Sequence, residues 1–280
     1  MHDIPRRIIL DNIPQHLVQS LSQPTQNPAR APIIRLSRNP LPTAAILPTG
    51  AAGLDTALGT GGLPRGCMAE IFGPEACGKT TLALHIIAAT QRTGGMAALI
   101  DAEHTLDPLY CRTLGVDLDA LLFAQPDTGE QALGIVELLV RSNAIDVIVI
   151  DSVAALVPQA ELGGDLRAIP MGLHADLMAQ GLRQLSAVLG KSATSVIFLN
   201  QLRFQPNPKF GNGEMTSGGR ALPSYAAVRL DMRRVKALQQ EHRTIGSRVR
   251  VRVVKNKQAS PFRQTEFDIV YGRGIVTQGV

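Results

Sequence analysis

Gly73-Pro74-Glu75-Ala76-Cys77-Gly78-Lys79-Thr80 decides how this chain folds. Ahead of it, Met68-Ala69-Glu70-Ile71-Phe72 predicts a short strand. Behind it, Thr81-Leu82-Ala83-Leu84-His85-Ile86-Ile87 places apolar residues at helical spacing. Strand, glycine loop and helix in that order predict a phosphate-binding loop. Gly73 and Gly78 carry no Cβ, so successive backbone N–H groups can turn inward toward phosphate oxygens. The positive end of the following helix adds to that attraction. Lys79 is placed to reach terminal phosphates, and the Thr80 hydroxyl to ligate magnesium. Cys77 reads either as a small filler or as a redox-sensitive thiol.

Moving outward, the 280 residues allow one large domain and a small appendage. A hydrophobic content of 45% against 18% charged residues predicts a sizeable core. No apolar run approaches the ~20 residues that span a bilayer, and Ile8-Ile9-Leu10 after Arg6-Arg7 is too short for a secretion signal. Cys67, Cys77 and Cys111 are odd in number and lack metal-ligand spacing, which predicts a reducing, cytoplasmic setting. The net charge of +5 and pI of 9.4 are compatible with a polyanionic partner. Aromatic residues make up only 4%, with no Trp, which argues against a base-stacking platform.

Residues 1–43 form a distinct arm. Pro5, Pro14, Pro24, Pro28, Pro32, Pro40 and Pro42 leave room for one short helix over 15–21 and an extended piece at 33–36. Residues 44–280 form the core, with alternating α and β elements. Apolar runs at 97–100, 147–150 and 196–199 predict buried parallel strands. Helices are expected over 130–141, capped by Asp127 or Thr128, and over 172–189. The last third predicts longer strands at 225–234, 248–255 and 265–271, with Val249, Val251 and Val253 alternating against Arg248, Arg250 and Arg252. The fold class is therefore α/β, a mostly parallel sheet flanked by helices with an antiparallel extension at one edge.

A nucleotide hydrolase needs a magnesium-orienting acid, a base for the attacking water and a γ-phosphate sensor. Asp151 ends one apolar strand, where the magnesium-linked acid belongs. Glu103, in Asp101-Ala102-Glu103-His104, is the candidate base, with Asp101 and His104 as alternatives. Asn200-Gln201 ends a third strand and supplies amides that can read the γ-phosphate.

Those residues, with Gln125-Pro126-Asp127-Thr128-Gly129-Glu130-Gln131-Ala132, Val149-Ile150-Asp151-Ser152-Val153-Ala154-Ala155-Leu156, Asn200-Gln201-Leu202-Arg203 and Val253-Val254-Lys255-Asn256-Lys257, resemble the bacterial RecA recombinase family. The likeness runs from about Ile33 to Gly274. It implies a RecA-type ATPase core that uses ATP and Mg2+ and assembles as a filament on single-stranded DNA for pairing with duplex DNA in repair. By the same resemblance Gly73 to Thr81 hold the triphosphate, and Thr80 and Asp151 hold magnesium, the latter through water. Glu103 and Lys79 serve catalysis, and Gln201 couples nucleotide state to a DNA loop. Asp107, Tyr110 and Tyr271 join the nucleotide set, although Tyr110 alone reads as a helix packing residue. Lys255 and Lys257 reach across a subunit boundary to a neighbour's γ-phosphate. Read alone, they are a solvated strand end.

The DNA loops implied by the resemblance are residues 163–172 and 202–216. Met171, Gly172 and Leu173 close the first, and Arg203, Phe210, Gly218, Gly219 and Arg220 belong to the second or its flank. Met171 and Phe210 either wedge between bases or pack locally. Arg183 joins the DNA set, and Arg233, Arg234, Arg250 and Arg252 match a second, duplex-capturing site on one basic strand face, with a plain solvated face as the competing reading. A self-cleaving SOS-type repressor is a further implied partner.

Several positions depart from the family pattern. Pro170, Asp176, Pro206 and Pro208 alter the loops, and Pro223-Ser224 replaces a lysine-phenylalanine pair that packs against the neighbouring subunit. Asp176 stands where an arginine commonly meets DNA, with Arg220 as a possible compensation. The sequence stops at Val280, so the family's C-terminal domain and acidic tail are expected to be absent, with easier duplex binding as the consequence. These departures favour a second reading, a regulatory paralogue that binds ATP and exchanges strands poorly. A hexameric helicase with the same core is more distant.

Overall fold

The structure is a computed structural model that describes residues 45–162, 172–204 and 213–276. The expected short helix at 15–21, the segment at 33–36, Met171, Pro170, Pro206, Pro208 and Phe210 lie outside these residues. In chain order the elements are β1 (Ile46–Leu47), α1 (Ala52–Leu58), β2 (Leu63–Pro64), β3 (Met68–Gly73), α2 (Lys79–Arg92), β4 (Ala97–Asp101), α3 (Pro108–Thr113), β5 (Leu121–Ala124), α4 (Gly129–Ser142), β6 (Val147–Asp151), α5 (Leu173–Leu189), β7 (Ser195–Phe204), β8 (Glu214–Thr216), α6 (Ala221–Tyr225), β9 (Val228–Gln240), β10 (Arg243–Asn256), β11 (Gln264–Val270) and β12 (Gly274–Val276).

One sheet carries the order β12-β11-β10-β9-β3-β7-β6-β4-β5, with β8 paired to β7 alone. From β9 to β5 every neighbouring pair is parallel, and from β9 to β12 every pair is antiparallel. The uninterrupted apolar strands follow from having both faces covered. Successive side chains point to opposite sides of a sheet. Val147 and Val149 therefore join α1 and α2 in one core, while Ile148 and Ile150 join α4 and α5 in the other. All four are buried.

Thr128 settles the cap of α4, its hydroxyl accepting from the Gln131 N–H at 3.1 Å. Three expectations are corrected. Tyr225 ends α6 and does not begin a strand, because Ala221–Tyr225 makes a helical turn before β9 starts at Val228. The second loop begins later than residue 202. β7 runs on to Phe204 and pairs with β8, Leu202 opposite Thr216 and Phe204 opposite Glu214, so the loop stands on a hairpin stalk. Finally, Arg233, Arg234, Arg250 and Arg252 do not share one face. Arg233 lies opposite Arg250, whereas Arg234 lies opposite the inward-facing Val249.

Candidate nucleotide and DNA site

The sheet register collects the chemistry at one edge. Asp101 is directly opposite Asp151 where β4 meets β6, and Gly73 opposite Gln201 where β3 meets β7. The C-terminal ends of parallel strands are where open α/β sheets bind ligands.

The phosphate loop joins β3 to α2. Gly78 caps α2 at φ 93, and a Cβ there would sit 2.4 Å from Ile269 Cδ1 on β11. A Cβ on Gly73 would sit 2.1 Å from the Met232 carbonyl oxygen. Both positions therefore require glycine. Pro74, Glu75 and Ala76 are exposed at the loop's tip, and Cys77 is buried beneath it. Burial pushes the Cys77 thiol up, which supports its reading as a filler over a reactive thiol. Lys79 is buried and donates to the Pro74 carbonyl at 2.7 Å and the Gly73 carbonyl at 3.3 Å. Its ammonium thus stands over the cradle, on acceptors that a phosphate can replace.

Thr80 donates its hydroxyl to Asp151 Oδ2 at 2.6 Å. Burial, with Glu103 and Asp101 nearby, raises the Asp151 carboxyl to about 6 against the pull of the Thr80 hydrogen bond. A group that is costly to ionise in this pocket is one that a divalent cation would stabilise. The hydroxyl–carboxylate pair at the foot of the cradle therefore fits magnesium, and Asp151 and Thr80 are the oxygen donors that would hold it.

Of the three candidate bases, Asp101 is buried and committed to structure. It accepts from the Leu106 N–H at 3.2 Å, the Gln125 amide at 3.1 Å and the Thr105 N–H at 3.4 Å. His104 is exposed. Glu103 alone joins the other site groups, accepting from the Ser152 hydroxyl and from Gln201 Nε2 at 3.1 Å. Tyr110 meets Thr81 of α2, hydroxyl to hydroxyl, at 3.0 Å, and Asp107 caps α3 through the Leu109 N–H at 2.8 Å. Tyr271 is exposed just beyond the strand whose Ile269 abuts Gly78.

Sequence reasoning passed over a buried polar network behind the cradle. Glu70 of β3 is fully buried, accepts from Asn200 Nδ2 at 2.9 Å and pairs with Arg229 Nε at 2.5 Å. Arg229 lies over the Phe72 ring at 4.5 Å, and Asn200 also donates to the Ser217 carbonyl at 3.0 Å. The signal was legible, since a carboxylate inside a buried strand demands partners. Lys255 donates to the Pro223 and Ser224 carbonyls at 2.7 and 3.0 Å. Burial, then repulsion from Lys257 and Arg229, lowers its pKa. Lys257 is exposed.

Among the candidate DNA residues, Gly172 caps α5 at φ 104, Leu173 opens that helix, and Arg183 is exposed further along it. Arg203 donates to the Ser217 hydroxyl at 3.0 Å. Gly218 and Gly219 are both left-handed, and a Cβ on them would sit 2.9 Å from Met178 Cγ and 3.0 Å from Ala175 Cβ of α5; Arg220 is exposed next to them. Arg233, Arg248 and Arg250 each have a carboxylate partner. Arg250 pairs with Glu266 at 2.8 Å and Arg248 with Asp268 at 2.7 Å, while Arg252 lies 5.7 Å from the Phe262 ring. Arg233 is gripped by Glu214 through both terminal nitrogens, at 2.7 and 2.8 Å, and by Asp231 at 2.6 Å. Arg234 is exposed on the opposite face.

Cradle, lysine, hydroxyl–carboxylate pair and oriented glutamate at the strand ends define a P-loop α/β core with the mostly parallel RecA-type sheet. Residues 15–276 match the family described as RecA N-terminal domain, and the chain belongs to the RecA family. It is 54% identical over 260 residues to Protein RecA of Salinispora tropica, covering 93% of this chain and 75% of that protein. It is 55% identical over 263 residues to Protein RecA of Caldanaerobacter subterraneus subsp. tengcongensis, covering 94% and 77%. Over 270 residues it is 55% identical to Protein RecA of Citrifermentans bemidjiense, covering 96% and 80%.

Proposed function

We propose that this protein is an ATP-hydrolysing recombinase that assembles on single-stranded DNA and pairs it with a homologous duplex. The observation that carries this reading is the Glu103–Gln201 contact. Glu103 sits where a base for water is needed, and Gln201 continues through β7 into the stalk of the second DNA loop. Nucleotide state and DNA grip thereby share one hydrogen bond. Lys79 and the loop amides bind and orient the phosphates, Glu103 takes the proton of the attacking water, and Gln201 releases or holds Glu103 as the γ-phosphate comes and goes. Magnesium, when bound by Thr80 and by Asp151 through water, would neutralise charge on the phosphate oxygens.

Self-assembly is supported by the other end of the sheet. Among the described residues β5 is an edge strand, and it exposes Leu122 and Phe123. Such an edge accepts an added strand, and residues 33–36 of a neighbour are of the right type. Lys255 and Lys257 would complete the neighbour's nucleotide site. No helix among the described residues is long and apolar enough to cross a membrane. The free Cys67, Cys77 and Cys111 support a reducing, cytoplasmic setting. A self-cleaving SOS-type repressor would dock on the assembled form. The regulatory-paralogue reading is favoured by one observation, the commitment of Lys255 to carbonyls of Pro223 and Ser224.

ATP turnover with and without single-stranded DNA, on wild type and Glu103→Gln, separates the two. The recombinase reading expects DNA-stimulated turnover that falls about 10²- to 10⁴-fold in the variant. Nucleotide binding without stimulated turnover in wild type would leave the paralogue.

A further inference from the structure

Arg233 belongs to the arginines assigned to duplex capture, yet Glu214 covers both of its terminal nitrogens, and Asp231 holds its Nε at 2.6 Å and one terminal nitrogen at 3.3 Å. A two-pronged carboxylate fit is the same fit that a phosphate would make. Duplex and Glu214 therefore compete for one guanidinium. Glu214 belongs to β8, opposite Phe204 on the β7–β8 hairpin, and β7 also carries Gln201 and Arg203. Asp231 lies two residues from Arg233 on its own strand, so it stays with Arg233 whatever the hairpin does. Glu266, the partner of Arg250, is on β11 and has no place in the hairpin.

We propose that Glu214 is a built-in counter-ion that withholds Arg233 from duplex phosphate until the β7–β8 hairpin shifts, so that the first strand bound licenses capture of the second DNA. This rests on the recombinase reading above and adds a specificity-determining residue to it. It turns an arginine with no sequence signal of restraint into a gated one. Binding of ATP at the Gln201 base of the hairpin and of single-stranded DNA at its loop end moves Glu214, and one cation is added to the duplex site at that moment. Asp231 remains on the Nε side and keeps Arg233 oriented.

The test measures binding of a labelled duplex by fluorescence anisotropy, with a non-hydrolysable ATP analogue, in the presence and absence of an unlabelled single-stranded oligonucleotide. In wild type the oligonucleotide should tighten duplex binding about fivefold, the lower range of measured couplings. Glu214→Gln should give that gain without the oligonucleotide, and its salt dependence should steepen by about one counterion. Glu214→Gln combined with Arg233→Gln should lose the gain. Glu266→Gln frees Arg250 and should tighten duplex binding equally in both conditions. Glu214→Gln with unchanged duplex binding, or with a gain equal in both conditions, overturns the proposal while single-strand binding by wild type stands. Wild type that binds no single strand sinks the recombinase reading itself, and this inference with it.

Discussion

Replacing Glu70 by Gln tests whether the polar network behind the phosphate cradle holds the sheet together. Glu70 is fully buried, and its partner Arg229 keeps 20% of its side chain exposed. Gln preserves the shape and an acceptor for Asn200 but leaves the guanidinium without its counter-charge. Removing one member of a buried pair costs about 3–5 kcal/mol. Here the cation retains some water and the Phe72 face, an attraction of about 1–2 kcal/mol when desolvated. The net loss for Glu70→Gln is therefore about 2 kcal/mol. Arg229→Met should be worse, at about 4 kcal/mol, because the carboxylate left behind has no exposure at all. The double variant should recover about 2 kcal/mol relative to the sum of the single changes. Urea denaturation of the four proteins measures each value. Additive losses, or Glu70→Gln costing more than Arg229→Met, would refute the reasoning.

Asp151→Asn should stabilise the nucleotide-free protein by about 3 kcal/mol at pH 7 and by little at pH 4. The folded carboxyl is raised from the ordinary aspartate range to about 6, so between these limits the folded state holds more proton than the unfolded one. Stability accordingly falls as pH rises from about 4 to 6 in wild type. Thermal melts across pH check the flattening in the variant, which should also lose magnesium-dependent turnover. Thr128→Ala should cost about 1 kcal/mol through loss of the α4 cap, and Thr128→Ser should restore most of it, read by the same melts.

Much of the fold was legible because the parallel strands are uninterrupted apolar runs and the glycine loop has one structural context. Val147 to Asp151 could be read at sight, and so could the place of Asp151 at a strand end. What escaped were contacts set by register. Nothing local says that Glu70 meets Arg229, 159 positions away, or that Gly73 lies opposite Gln201. The hairpin stalk at 202–204 has a weak local signal because its partner β8 is only three residues long. Short elements held by tertiary packing, such as α6, carry little propensity of their own. The split of Arg233 and Arg234 onto opposite faces follows from strand alternation alone, and could have been drawn from adjacency.

The central claim is that nucleotide bound at one protomer organises contact with the next and with DNA. Sedimentation of wild type and Lys257→Ala with ATP analogue and single-stranded oligonucleotide, each alone and together, tests it most directly. Large assemblies that form with wild type only when both ligands are present, and that Lys257→Ala loses while still binding nucleotide, are the predicted result. Wild type that stays monomeric with both ligands present would contradict it.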